Sequence, residues 1–531
     1  MNPPSLPAPE PRRIPARRLT RRRALAEAAA GAGALAGLTT LVAGCGSGLQ
    51  EARAAASGST LDSTWSDPVG DGQLRVGPGE PLRERSELGP VASPTATLAR
   101  LAHATDAHAL DASSPARVTF LDRLGPPFQS TFRPQETLTT QVLAGAGTAV
   151  RSLAPQLLIQ GGDLIDNDQD NELGHALTVL TGGLVSPGSG RLGYYGVQLA
   201  SDTDPFYYRP AVDAPRYPEL LRDAVRPFRS RGFGAPVYPV LGDHDALVAG
   251  TLEPTALTRA LAIGDRALWN LPRGLTIPAR LRSAPSTAPD GPPDPAAVNQ
   301  LLAQALRGPV VRVPPDAGRR ELSFDEVIGR LQTTGGPGTA IRAGTRLDYV
   351  VDVGAHLRLV VLDIVRRDGG SGGAVNSAQP AWLGRQLTAA GDRWVIVVTH
   401  QPIASSVAGD ELFSVMDRSP RVIAALNGHT HRNEIVPRPT ASGGYWLITT
   451  ASLIDYPQQA RALTVEATHG GGVAIRTWML DHVDGVGTGS PGLGRISRQL
   501  AYLDAQGGRP EGLAGSPADR NVILHRRAIG R

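Results

Sequence analysis

The stretch "YPVLGDHDAL", Tyr238 to Leu247, decides how this 531-residue chain is read. A short apolar run ends in one glycine, and three ionisable residues follow in succession: Asp243, His244 and Asp245. Apolar residues then resume. A short apolar run bounded by turn residues reads as a buried strand, and the loop after such a strand is where functional groups are displayed. Carboxylate, imidazole and carboxylate in that position suit metal binding or acid–base work. A lone histidine there is more often a satisfied structural residue, so the reading depends on what the rest of the chain repeats.

The arrangement recurs. "LAHATDAHAL" supplies Asp106 and His108, and "LLIQGGDLIDND" supplies Asp163 and Asp166. "VIVVTHQPI" supplies His400, and "VIAALNGHTHRN" supplies His429 and His431. Five of the 11 histidines thus stand directly after apolar runs, interleaved with aspartates. Oxygen and nitrogen donors without thiols suit Zn, Mn or Fe better than a soft metal. A carboxylate shared by two cations is the usual means of holding a metal pair about 3.5–4 Å apart for displacement at phosphorus. For Asp245 and Asp166 the alternative is a loop or cap hydrogen bond, and for Asp166 that and a functional role are equally open.

Composition limits the partners. Lysine is absent, and the basic residues are all arginine. The formal charge of +4 is concentrated at the N-terminus. Among the first 45 residues, Arg12, Arg13, Arg17, Arg18, Arg21, Arg22 and Arg23 stand against Glu10 and Glu27, leaving the remainder near −1. A body without net positive charge lacks the electrostatic footprint of a nucleic-acid binder, so no nucleic-acid partner is expected. "TRRRAL" (Thr20 to Leu25) precedes a soft apolar run, Ala28 to Val42, too short for an ordinary membrane span. A basic region, an apolar region and small residues describe a signal peptide. The paired arginines resemble a twin-arginine export signal, with Ala24 where Phe is usual. "LVAGC", Leu41 to Cys45, resembles a lipobox. Cys45 is the only cysteine, so no intrachain disulfide can form. The chain is therefore expected to be exported and anchored to the membrane by a lipid at Cys45, or otherwise secreted.

Residues 46–97 are rich in Gly, Ser, Pro and charge and read as a flexible linker. Apolar strand-like runs alternate thereafter with helical patterns over Leu138 to Leu153, Pro218 to Phe228 and Pro380 to Leu387, and strands continue late in the chain. This mixture predicts an α/β protein with mixed sheets and covering helices. Segments 181–216 and 249–345, the second with the Pro-rich "SAPSTAPDGPPDP", read as insertions. Residues 484–531 read as a Gly/Pro-rich C-terminal extension with one short helix, "ISRQLAYLD".

The order of the blocks, D-x-H, G-D, G-D-H-D, H after a strand and G-H-x-H, resembles the calcineurin-like metallophosphoesterases. The likeness covers Leu98 to His482, and the main domain is drawn as 98–483. Two further stretches, Asp166 to Leu173 and Asp455 to Gln459, resemble the long exported bacterial branch of that family. The resemblance implies a four-layer sandwich of two mixed sheets flanked by helices, with a dinuclear metal site at the strand ends. It places Asp106, His108 and His431 on one metal and Asp243, His400 and His429 on the other, with Asp163 bridging. The ions would be two divalent or mixed-valence Mn, Fe or Zn. It makes His244 the general acid, oriented or polarised by Asp245. The implied activity is hydrolysis of small phosphomonoesters or phosphodiesters by a two-metal-activated hydroxide. The family normally carries asparagine where this chain has Asp243. The tyrosine that marks the purple branch, three residues after the bridging aspartate, is Asp166 here. The alternative is a cell-surface binding lipoprotein on the same fold with little or no turnover.

Overall fold

The structure, a computed structural model, describes residues 56–124, 131–268, 291–308, 310–334, 346–484, 492–504 and 510–530. The leader with Cys45, and most of the Pro-rich piece after Ser283, lie outside the described residues. Among those described, no helix is long and apolar enough to cross a membrane.

Two mixed sheets dominate. Numbering only the elements used below, the first has seven strands: β1 (Arg83–Leu88), β2 (Pro94–Ala104), β3 (Leu157–Gln160), β4 (Val237–Pro239), β11 (Gln459–Thr468), β12 (Val473–Asp481) and β13 (Val522–Arg526). Their order across the sheet is β1-β13-β12-β11-β2-β3-β4. The second has six: β5 (Tyr349–Val353), β6 (Leu357–Val361), β7 (Trp394–Val398), β8 (Val422–Asn427), β9 (Glu434–Arg438) and β10 (Tyr445–Thr449), in the order β5-β6-β7-β8-β10-β9. β2, β3 and β4 run parallel, as do β6, β7, β8 and β10.

Why the central strands carry no polar alternation is clear from β7, "WVIVV", which is buried throughout. Ile396 and Val398 join Leu359, Val361, Leu426 and Trp446 in a core that also takes in Leu101, Leu158 and Leu463 of the first sheet. Val395 and Val397 pack instead with Leu383 and Leu387 of helix α3 (Gln379–Ala389) and with Leu412, Phe413 and Met416 of α4 (Gly409–Met416). Each fully buried Val or Ile contributes about 1.5–3 kcal/mol, which a strand with one wet face would forgo. Helix α1 (Thr139–Leu153) lays Val142, Leu143, Ala146 and Val150 into the first sheet's core, and α2 (Asp170–Thr181) follows β3.

Three expectations change. Residues 56–97 were expected to be a tether, but Arg83–Leu88 forms the edge strand of the seven-stranded sheet, and Thr60 donates to the Met479 carbonyl. The C-terminal extension includes helix α5 (Leu493–Leu503), close to the expected position, but its last segment is β13, which inserts between β1 and β12. The first, RERSEL, is charged on both faces, and the second, VILHR, is a short run within a Gly/Pro-rich tail, so composition hid them. The helix expected over Pro218 to Phe228 is confined to Leu220–Ala224, and Phe228–Ser230 is instead a strand paired with Gly183–Val185. Pro227 removes a backbone donor and disfavours helical geometry at Arg226.

Candidate metal centre

Every singled-out block lies just beyond the C-terminal end of a parallel strand: Asp106 and His108 after β2, Asp163 after β3, Asp243 and His244 after β4, His400 after β7, and His429 and His431 after β8. Ligands of open α/β sheets gather at that edge. The loops are under local strain. Asp106, His108, Asp163, His429 and His431 all have positive φ, between 43° and 67°. That region is uncommon for residues other than glycine, and it persists only where the surroundings enforce it. Gly162, at φ 96°, is required for a different reason: a Cβ there would lie 2.6 Å from His400 Cγ.

Seven of the expected residues converge. Asp106, His108, Asp163 and His431 form one set, and Asp163, Asp243, His400 and His429 form a second. Within each set one donor atom per residue lies within 4.8 Å of the others. Asp163 belongs to both. Asp106 Oδ1 is 3.3 Å from His431 Nε2, Asp163 Oδ2 is 3.0 Å from His400 Nε2, and Asp243 Oδ1 is 3.2 Å from both His400 Nε2 and His429 Nδ1.

The ring nitrogens that face outward decide what the inner ones can do. His400 Nδ1 lies 2.8 Å from the Gly161 carbonyl, which can only accept, so the proton sits on Nδ1 and Nε2 faces inward with a lone pair. His108 Nδ1 is held the same way by Asp166 Oδ1 at 3.0 Å, and His431 Nδ1 by Asp455 Oδ2 at 2.6 Å. Histidines that ligate metals have this outer support. His400 Nε2 is buried without a hydrogen bond, although two carboxylate oxygens are close to it.

Burial alone would lower the pKa of His431, but Asp106 and Asp455 raise it to about 9, and Asp163, Asp243 and Asp106 raise His400 well above its ordinary value against the same burial. For Asp106, burial acts upward, yet His431, His400 and His108 hold it below the carboxylate range. Carboxylates that force protons onto inward lone pairs would serve a divalent cation equally, because proton and metal compete for those pairs. The donor set therefore fits a pair of cations: Asp106, His108 and His431 would hold one, Asp243, His400 and His429 the other, with Asp163 between them.

His244 stands beside both sets. Its backbone N–H donates to Asp163 Oδ1 at 2.9 Å, and its ring meets His108 edge-on at 4.4 Å. Its Nδ1 donates to the Asp166 carbonyl at 2.7 Å, and its Nε2 makes no hydrogen bond among the described residues. Burial opposes its protonation, but Asp163, Asp166 and Asp243 outweigh it and raise the pKa.

Asp245 does not orient His244. Its Oδ1 accepts from the Leu164 and Ile165 amides at 2.8 and 3.2 Å, and its Oδ2 from the Gly242 amide at 2.8 Å. It braces the two loops that carry Asp163 and Asp243, because three buried amides have no strand partner there. Burial and Asp163 push its carboxyl up to about 7. Asp243 has a support of its own, since Gln401 Nε2 donates to its Oδ1 at 3.0 Å.

Sequence alone named Asp166 and Asp455 without giving them a role, and it did not single out Arg117 or Arg133. Asp166 proves to be the support of His108, and Arg117 ion-pairs with its other oxygen. Arg133 holds Asp455 through Nε at 2.7 Å, while Asp455 in turn holds His431. The signal for Asp455 was present in its position six residues after β10; for Arg117 and Arg133 there was none.

No protein-family model matches the chain, and no curated protein matches it significantly. Among solved structures, it is similar to a dimetal phosphatase from Danio rerio, at 13% identity over 73% of this chain and 100% of that one, with a TM-score of 0.35. It is also similar to a purple acid phosphatase from yellow lupin (Lupinus luteus) seeds, at 11% identity over 76% of this chain and 54% of that one, with a TM-score of 0.29. A third is a sulfate thiohydrolase from Thermus thermophilus, at 14% identity over 78% of this chain and 61% of that one, with a TM-score of 0.27.

Proposed function

We propose that the protein is a metal-dependent phosphoester hydrolase acting on small phosphomonoesters or phosphodiesters. The observation that carries this reading is the pair of four-residue sets sharing Asp163, with three histidines held from outside so that Nε2 faces inward. When bound, two divalent cations would supply an acidified water and neutralise charge developing on the phosphoryl oxygens. His244 would do the work of the acid. Its Nδ1–H goes on donating to the Asp166 carbonyl, and the imidazolium presents Nε2–H to the ester oxygen. As the water oxygen bonds to phosphorus, the ester P–O bond breaks and that proton passes to the departing alkoxide. Asp166 and Asp455 act through the rings they hold, and Asp245 through the loops it ties.

The proposal includes a four-layer arrangement of the two sheets with helices outside, supported by the split of β6 and β7 side chains between two cores. It also includes export and lipid anchoring at Cys45, which rest on the leader's sequence alone. The test is metal analysis of the purified chain together with hydrolysis of p-nitrophenyl phosphate and bis-p-nitrophenyl phosphate before and after chelation. Close to two ions per chain, with turnover lost to chelator and restored by metal, is expected. Full metal content without turnover on either ester would favour the binding lipoprotein.

A further inference from the structure

The two donor sets are supported from outside in different ways. In the second, His400 is held by the Gly161 carbonyl and Asp243 by the Gln401 amide, both neutral groups. In the first, His108 and His431 are held by carboxylates, those of Asp166 and Asp455. Each of these carboxylates is gripped from behind by an arginine, Asp166 by Arg117 and Asp455 by Arg133.

The two arginines meet at one residue. Glu136 Oε2 accepts from Arg117 Nη2 at 2.6 Å and from the Arg133 backbone N–H at 3.2 Å. Arg117 Nη2 also donates to the Thr131 carbonyl at 2.8 Å, and Gln135 Nε2 to the Ile454 carbonyl at 3.1 Å, next to Asp455. One short stretch, Thr131 to Glu136, therefore stands behind both histidines, although His108 and His431 are 323 residues apart in the chain. The stretch is itself fixed, since Gln198 Nε2 donates to the Pro134 carbonyl at 2.9 Å and the Phe132 ring meets Tyr207 edge-on at 5.0 Å. Arg117, Arg133, Glu136, Asp166 and Asp455 are all buried. Removing one member of such a buried network leaves a charge without its counterpart, and the remaining side chains must move to recover it.

We propose that Arg117 and Glu136 are positioning residues for one ion of the pair. Through Asp166, Arg133 and Asp455 they fix the His108 and His431 rings with Nε2 inward, and the ion of Asp243, His400 and His429 does not depend on them. The inference rests on the reading of the paired sets as a metal centre, but not on the phosphoester chemistry, because its readout is ion retention.

Two substitutions at one position separate this role from packing. In Glu136→Gln the side-chain oxygen can still accept from both donors, and the amide nitrogen replaces Oε1, which has no partner to lose. Glu136→Ala accepts from neither. The chains are loaded with manganese, and bound ions are counted at graded chelator concentrations. The wild-type chain should hold close to two. Glu136→Ala and Arg117→Met should each release one ion at about tenfold lower chelator, the low end for loss of an outer support, while the other ion leaves as in the wild type. Glu136→Gln should match the wild type. If one of the disruptive variants fails to fold, the other carries the test. Adding Asp455→Asn to Glu136→Ala should still spare the second ion, because both changes act on the same site. A wild-type chain holding fewer than two ions would overturn the metal-centre reading and this inference with it. With two ions bound in the wild type, the inference alone falls if Glu136→Ala weakens both ions equally or neither, if Glu136→Gln is as weak as Glu136→Ala, or if the double variant releases both ions early.

Discussion

Asp455→Asn isolates one consequence of the geometry. The native carboxylate serves several donors at once: Oδ2 accepts from His431 Nδ1 at 2.6 Å and Arg133 Nη2 at 3.2 Å, and Oδ1 from Arg133 Nε at 2.7 Å and Gln135 Nε2 at 3.5 Å. Asparagine has one oxygen. If it faces Arg133, its amide N–H meets the His431 Nδ1–H, donor against donor. The ring escapes by moving its proton to Nε2, the atom that would bind the metal, and the ion must then displace that proton. Loss of such an outer hydrogen bond typically weakens metal affinity 10–100-fold, about 1.4–2.7 kcal/mol. The cost should fall on one ion only, since the second set draws on Asp243, His400 and His429. Burial opposes ionisation of Asp455, but Arg133 and His431 hold its pKa below the carboxylate range. Its contribution to stability is thus complete above the unfolded value near 4 and lost only as pH falls through the depressed folded value, so assays near neutrality are not confounded by titration. Competition against a graded chelator should show one of two ions released earlier in the variant, with turnover recovering at excess metal. Equal weakening of both ions, or of neither, would refute the assignment of Asp455 to His431.

His244→Ala should retain both metals and lose turnover roughly 10²–10⁴-fold, least for substrates with good leaving groups; an equal loss across leaving groups, measured by kcat, would argue against the acid role. Gly162→Ala should release the second ion first, the reverse of Asp455→Asn, because the new methyl presses on His400 and the residue must keep φ 96° at a cost of about 1–2 kcal/mol; unchanged metal content would contradict the packing. Burial, reinforced by Asp166, pushes Glu172 up to about 8, so the metal-free chain binds this proton more tightly folded than unfolded. The stability it supplies is complete below about pH 4 and declines as pH rises toward 8, with a slope of about 1.4 kcal/mol per pH unit. Urea unfolding between pH 5 and 8 should show that slope flattened in Glu172→Gln.

Which residues the fold brings together was legible in the chain itself, because most of the strands that present them are apolar runs. A run such as "WVIVV" has no polar alternation to confuse it, and a parallel sheet must release its loops at one edge, so Asp106, Asp163, Asp243, His400 and His429 could be gathered before any fold was known. Helix α1 was readable from its helical pattern, and the strands from Tyr349 to Asp481, except β9, from their apolar runs. Tertiary structure alone decided the rest. β13 is a strand because β12 offers it an unpaired edge, and β1 because β13 in turn offers it one. Asp245 turned from the His244 ring to three amides because those loops have no other acceptor. Arg117 meets Asp166, and Arg133 meets Asp455, only where packing forces a buried charge to find its counterpart, and no local pattern records pairings made across 49 and 322 residues of chain.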